Sequence, residues 1–298
     1  MTLGPIRQWR IHLGAHKTAT THFQETLAAL RPSLAAMGVD VVPLEPFRGI
    51  AEAGALAPGC ANWRLAFRGW PLRARLSRAL APLRCGPGVL AISEENLPGV
   101  SRDLLVSPLY PQAETRLSGL AGLGADLRLF LGIRSFDEVL PSAYAQALRA
   151  TEFPGRFAEV AAHVAAAMPS WADLAERLRR IAPRASLTVW TMEAYRADPR
   201  AVMAAFLGID PGLAPDLPPP TRTVTPPAAA IAEAEALPLG LPKPERRART
   251  AEIYARHLEA GGPKFAPLSP DLRAALRTGY RADLSRLRRM SGVELLHV

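Results

Sequence analysis

A chain of 298 residues with 49% hydrophobic side chains has ample material for a buried core, in one large α/β domain or two small ones. Its formal net charge of +9 suits anionic ligands. Aromatic residues make up only 6%, which argues against a base-stacking platform for single-stranded nucleic acid. No apolar run approaches the ~20 residues of a membrane helix.

The chain opens with an apolar run that ends at Gly14, then Ala15-His16-Lys17-Thr18-Ala19-Thr20-Thr21. Phe23, Leu27 and Leu30 follow at helical spacing and predict a helix over residues 21–37. Strand, short polar turn and helix in this order make a phosphate-binding loop, because the turn and the positive end of the helix aim N–H groups at one point. The hydroxyls of Thr20 and Thr21 and the ammonium of Lys17 are expected to converge there. Lys17 stands out against the composition. Of 36 basic residues only three are lysines (Lys17, Lys243 and Lys264); the rest are arginines. A compact ammonium sits beside a single bridging oxygen where a guanidinium fork is too wide. The order differs from a Walker A sequence, which places Gly-Lys-Ser/Thr after four intervening residues.

A second short strand is expected over residues 38–44 and an irregular stretch over 45–70, with Arg64, Arg68 and Trp70 as candidates to grip an acceptor. Residues 70–83 have helical spacing. The run Val89-Leu-Ala-Ile92 is a buried strand ending in Ser93-Glu94-Glu95-Asn96-Leu97. Ligands of open parallel sheets bind beyond the carboxyl ends of the strands, so these carboxylates are placed for proton transfer. Side chains of successive strand residues point opposite ways, so one of the two should face the site.

Residues 101–126 read as helical with breaks at Pro108 and Pro111, and residues 127–133 as a strand ending at Arg134. Ser135 and Glu138 have capping-box spacing. The helix beyond carries Pro141 and Ser142, and Tyr144 is read as core. Helical spacing continues over 157–181 and restarts at Pro169-Ser170. Residues 187–192 form a last parallel strand, followed by a helix at 201–207. Glu193 and Trp171 are read as structural. Residues 208–244 are rich in proline and are expected to be a loop over the site, with Arg222, Lys243 and Arg246 as candidates for donor contacts. Ser269-Pro270-Asp271 starts a last helix, with Leu272, Leu276, Tyr280 and Leu284 as its packing stripe and arginines on its outer face.

No His or Cys spacing reads as a metal site. Cys60 and Cys85 make neither a disulfide framework nor a metal cluster, and no signal peptide is read at the start. A reduced, cytoplasmic protein is therefore expected. His12, His16 and His22 cluster near the loop, and His16 is a candidate for donor contact or proton transfer.

Alternating strands and helices behind a phosphate loop predict a three-layer α/β/α fold with a mainly parallel central sheet, P-loop nucleoside-triphosphate-hydrolase-like, as a single domain over residues 1–298. Lys17-Thr-Ala-Thr-Thr21 resembles the 5′-phosphosulfate loop of sulfotransferases that use 3′-phosphoadenosine 5′-phosphosulfate (PAPS), with Ala19 where that family has Gly. The Ser-Glu-Glu-Asn-Leu segment resembles a stretch of bacterial sulfotransferase-like proteins and selects Glu95 over Glu94. Arg134 with Ser142 eight residues on resembles the family's 3′-phosphate element. The resemblance covers roughly residues 10–207. It implies sulfuryl transfer from PAPS to a hydroxyl or amine of a small-molecule or glycan acceptor, releasing 3′,5′-ADP without a metal. Lys17 and Glu95 would be catalytic, and His16, Lys17, Thr18, Ala19, Thr20, Thr21, Arg134 and Ser142 would hold the donor. Two rivals are a P-loop phosphotransferase with Glu94 or Glu95 on Mg²⁺, and a nucleotide-binding protein with a degenerate donor site. No nucleic-acid partner is expected.

Overall fold

The computed structural model describes residues 5–52, 72–84, 88–151, 153, 155–214, 217, 225–238 and 240–296. In chain order the elements are β1 (Ile6–His12), α1 (Thr20–Ala36), β2 (Val39–Val41), α2 (Leu44–Glu52), α3 (Leu72–Leu80), β3 (Gly88–Ser93), α4 (Ala113–Leu117), β4 (Leu127–Ile133), α5 (Phe136–Arg149) and α6 (Phe157–Ala166). They continue with α7 (Trp171–Ile181), β5 (Ser186–Thr191), α8 (Met192–Ala197), α9 (Pro199–Leu207), α10 (Ala228–Glu235), α11 (Lys243–Ala260), α12 (Pro270–Arg289) and β6 (Val293–Leu296).

Six strands form one sheet in the order β2-β3-β1-β4-β5-β6. Every pairing is parallel. Strand alternation divides the apolar residues between two cores. Trp9, Ile11, Leu90, Ile92, Leu127, Leu129, Leu131, Leu187 and Val189 belong to one core, together with residues of α3, α5, α7 and α12. Ala91, Phe130 and Trp190 belong to the other, with Phe23 and Leu27 of α1 and Val202, Met203 and Phe206 of α9. Helices therefore cover both faces, and the architecture is α/β/α. β1 is central, and the loop at its carboxyl end lies where the sheet order reverses, the usual ligand position in such sheets.

Several expectations are corrected. The stretch read as irregular begins with a helix, α2; Pro46 falls in its first turn, where the missing N–H has no partner to lose. Phe47 of that helix is buried. Arg64, Arg68, Trp70, Cys60 and Cys85 lie outside the described residues, as does Arg222. Within 101–126 only α4 is α-helical; the remainder is 3₁₀ turns and irregular chain. Residues 208–244 are not a continuous loop. The Ala-rich run after Pro227 forms α10 and buries Ala230, Ile231 and Ala234, since good helix formers win once proline sits at the cap. Arg246 is buried and donates to the carbonyls of Leu237 and Pro238, so it ties the connection between α10 and α11. The capping box at Ser135 does not form: Ser135 Oγ donates to Asp137 Oδ1 at 2.5 Å, and Glu138 is taken by Arg134. A charged acceptor outcompetes the neutral cap. The sequence reading did not include β6, a four-residue strand with mixed polarity at the sheet edge.

The last helix starts as expected, with Ser269 Oγ accepting from Leu272 N–H. Tyr144 and Trp171 are fully buried, and Glu193 accepts a hydrogen bond from the Tyr280 hydroxyl. Among the described residues no helix is long and apolar enough to cross a membrane.

Candidate functional site

The loop between β1 and α1 is held in an unusual backbone shape. Gly14, Lys17 and Ala19 all have positive φ, at 60°, 68° and 63°. Gly14 is also required by space: a Cβ there would stand 3.0 Å from Glu95 Cβ and 3.3 Å from Thr20 Oγ1. Ala19 adopts the left-handed region that glycine occupies freely and alanine at a cost of roughly 1 kcal/mol. Thr18 Oγ1 donates to Ala15 O at 2.6 Å and folds the turn on itself. It fits because Gly132 of β4 has no side chain; a Cβ there would be 3.0 Å from Thr18 Oγ1.

Ala19 is the N-cap of α1 and offers no capping side chain, and the first turn has no acidic residue. The positive end of a 17-residue helix is therefore left for an outside anion. Thr20 is buried and its hydroxyl donates to Ala15 O at 3.3 Å, while Thr21 is exposed. The two hydroxyls are thus not equivalent.

Lys17 opens into a cleft. Its ammonium has no hydrogen bond or ion pair among the described residues. One wall is α5, which contributes Ser142, Ala145, Gln146 and Arg149. The other is Tyr254 and Leu258 of α11, with Thr225 and Pro226 completing the rim. The Lys17 ammonium is pushed below the ordinary lysine value, first by burial and then by the like charge of Arg149, with Glu95 opposing and Arg134 adding a smaller push. A desolvated cation facing other cations is costly unless an anion joins it.

The two carboxylates at the end of β3 have separate fates. Glu94 is buried; Arg48 of α2 donates to its Oε2 at 2.6 Å and its Oε1 at 3.2 Å. Its Oε1 also accepts from Asn96 N–H and Nδ2, at 2.8 and 2.9 Å. Glu95 is half-buried, lies against Gly14, and makes no ion pair among the described residues. Of the two, Glu94 is held by Arg48 and Asn96, and the Glu95 backbone and Cβ lie against the loop at Gly14.

His16 is buried in a chain of hydrogen bonds. Tyr110 Oη accepts from His16 N–H at 3.1 Å and lies 3.0 Å from His16 Nδ1, while Nε2 lies 3.2 Å from Asn96 Oδ1. Because Asn96 uses its NH₂ on Glu94, its Oδ1 accepts from Nε2–H; Nδ1 then accepts the Tyr110 proton. Both ring nitrogens are occupied, and the imidazole ties the loop to the Asn96–Glu94–Arg48 group. His12 is also buried, with Nδ1 2.9 Å from Ser93 Oγ and its ring stacked on Trp190 at 4.9 Å. Burial pushes it down to about 3. His22 Nδ1 lies 2.7 Å from the Tyr195 hydroxyl.

Arg134, at the end of β4, donates through Nε and Nη2 to Glu138 Oε2 at 2.9 and 2.7 Å, and through Nη1 to Lys17 O at 3.2 Å. It braces the loop from below. Ser142 is nearly buried and lines the cleft with Lys17. Sequence reasoning missed Arg149, although its signal was present: Arg149 lies seven residues, two helical turns, beyond Ser142 and so shares its face. Tyr254 and Leu258 were hidden because no local pattern marks which face of α11 meets the loop.

No family model matches the chain, and no curated protein matches it. Among solved structures, a sulfotransferase from Alicyclobacillus acidocaldarius aligns with 14% sequence identity and a TM-score of 0.45, over 95% of this chain and 96% of that one.

Proposed function

We propose that the protein transfers a sulfuryl group from PAPS to a hydroxyl or amine of an acceptor, releasing 3′,5′-ADP. The observation that carries this reading is Lys17: a desolvated ammonium without a carboxylate partner among the described residues, at an uncapped helix N-terminus, facing Arg149 across a cleft lined by Ser142. Such a place suits an anion, and the Lys-Thr-Ala-Thr-Thr resemblance names its kind.

In the reaction the acceptor oxygen or nitrogen attacks sulfur in line with the bridging oxygen. The new bond to sulfur forms as the bond from sulfur to that oxygen breaks, and the electron pair stays on the departing phosphate. Lys17 and the first-turn amides of α1 stabilise this developing charge as preorganised donors. Glu95, beside Gly14, accepts the acceptor's proton. Glu94 has a different task, holding Arg48 and Asn96. His16 is a positioning residue, since proton transfer through it would break its bonds to Tyr110 or Asn96. Thr18 and Thr20 shape the loop through Ala15 O, and Thr21 is the exposed hydroxyl at the helix start. The resemblance assigns the 3′-phosphate to the element that runs from Arg134 to Ser142, and Ser142 lines the cleft beside Lys17. The acceptor, whether a small molecule or a glycan, enters from the Glu95 side.

Calorimetry with 3′,5′-ADP and with ATP, each with and without Mg²⁺, tests the reading. Tight binding of 3′,5′-ADP independent of Mg²⁺ is expected. A preference for Mg²⁺-ATP would replace the reading with phosphoryl transfer. Nucleotide binding with no transfer from labelled PAPS to any of a broad acceptor panel would leave a binding protein.

A further inference from the structure

Two arginines stand close to Lys17: Arg149 lines the same cleft, and Arg134 binds the Lys17 carbonyl. Arg134 is the one that the motif suggests for the 3′-phosphate. Its guanidinium is already committed, with two N–H groups on one oxygen of Glu138 and a third on Lys17 O. Glu138 also sits 3.4 Å from Arg196, so this corner carries a carboxylate that a phosphate would have to displace or face. Arg134 does not line the cleft.

Arg149 is placed differently. It lines the cleft together with Lys17, and it makes no ion pair among the described residues. It follows Ser142, Ala145 and Gln146 at positions that keep one face of α5 toward the ligand space. The other wall, Tyr254 and Leu258, brings no carboxylate into the cleft among the described residues. Tyr254 is fixed by donating its hydroxyl proton to Ala145 O at 3.0 Å, which locks α11 against this same stretch of α5. The helix that carries Arg149 is thus tied to α11 one turn before it.

We infer that Arg149, with Ser142 on the same helix face, reads the second phosphate of a bis-anionic ligand, and that Arg134 is a positioning residue which holds the Lys17 backbone. This rests on the donor reading above for the ligand's identity, but the pairing of Lys17 with Arg149 around an anion does not.

The test compares the full-length protein with Arg149→Gln and Arg134→Gln, titrating 3′,5′-ADP and 5′-AMP by calorimetry. Arg149 is exposed, so its variant keeps the fold; thermal midpoints verify both. Wild-type protein is expected to prefer 3′,5′-ADP. Arg149→Gln should lose about 10- to 100-fold in 3′,5′-ADP affinity and most of the preference, the size of one charge-assisted contact. Arg134→Gln should weaken both nucleotides alike and keep the preference, as a loop brace would. Preference kept in Arg149→Gln and lost in Arg134→Gln overturns the inference. Wild-type indifference to the 3′-phosphate overturns the donor reading instead. In that case inorganic pyrophosphate is the probe: weaker binding by Arg149→Gln supports the two-cation site, and unchanged binding overturns it.

Discussion

α12 and the cleft beside the first loop are both rich in positive charge, and they use it in opposite ways. On α12, Arg277 donates to Asp137 at 2.8 Å, and Arg286 meets Glu176 and Asp173, each at 2.8 Å. These partners raise the Arg286 value, with the hydrogen bond to Glu176 the largest cause. In the cleft, Lys17 and Arg149 have no carboxylate partner among the described residues, and the Lys17 value moves down. Paired surface charges of the α12 kind contribute about 0–1 kcal/mol each and hold a helix in place. Unpaired cations gathered in a concave site raise the energy of the empty protein and lower it again when an anion binds. A net charge of +9 does not distinguish the two; the pairing does.

The same contrast between paired and free groups divides Glu94 from Glu95, and here the largest effect is expected. Glu95→Gln should reduce turnover by roughly 10²–10⁴-fold while 3′,5′-ADP binding persists. Glu94→Gln should chiefly lower the thermal midpoint, because Arg48 would lose its buried charged partner. A turnover loss confined to Glu94→Gln would exchange their roles; full activity in both variants would place the base elsewhere. Next in size is Lys17. Lys17→Ala should slow turnover by about 10²–10³-fold with a smaller loss of donor affinity, and Lys17→Arg should not restore it. The alanine variant should be at least as stable as the parent, since a desolvated cation has been removed. A large drop in midpoint would mean that Lys17 is a paired structural residue after all. Arg277→Gln on α12 is the matched control and should leave nucleotide binding unchanged.

His12 supplies a third setting, a basic group buried among rings and kept neutral. Its value is near 3 in the fold against 6.5 in an unfolded chain. Between those limits the unfolded state binds a proton that the native state refuses. Stability is thus complete above pH 6.5 and falls as pH drops, by up to about 1.4 kcal/mol per pH unit from this residue. Chemical denaturation from pH 7 to 4 should show a shallower decline in His12→Gln; an identical slope would remove His12 as the cause. The smallest effect belongs to Ala19. With φ at 63°, Ala19→Gly relieves strain and should raise or leave unchanged both stability and donor affinity, by about 1 kcal/mol at most. A marked loss would show that the loop needs its methyl group.

Much of the frame was legible because its signals are local. The run that became β4 and the helix from Thr20 are set by apolar periodicity, and the order of strand, loop and helix placed Lys17 in the turn after the first strand. Glu95 was separated from Glu94 by resemblance; the pairing of Glu94 with Arg48 was not legible in the sequence. Arg48 was out of sight because it belongs to a helix disguised by Pro46 and by Pro43 just before it. Arg149 was missed for a different reason. Its spacing from Ser142 marks a shared helix face, but that this face lines a cleft depends on where α11 packs, and that contact joins residues about a hundred positions apart. The capping box failed because Arg134 competes for Glu138, which no spacing rule contains.

The Lys17 ammonium is partly buried, has no carboxylate partner among the described residues, and is suited to an anion. The chain has only three lysines, so side-chain ¹³Cε NMR resolves each, and Lys17→Ala assigns the resonance. In the free protein Lys17 is expected to titrate below the ordinary 10.5. On saturation with 3′,5′-ADP its midpoint should move upward, because the bound phosphate favours the charged form. A Lys17 that titrates at the ordinary value and does not move with saturating nucleotide would contradict the account.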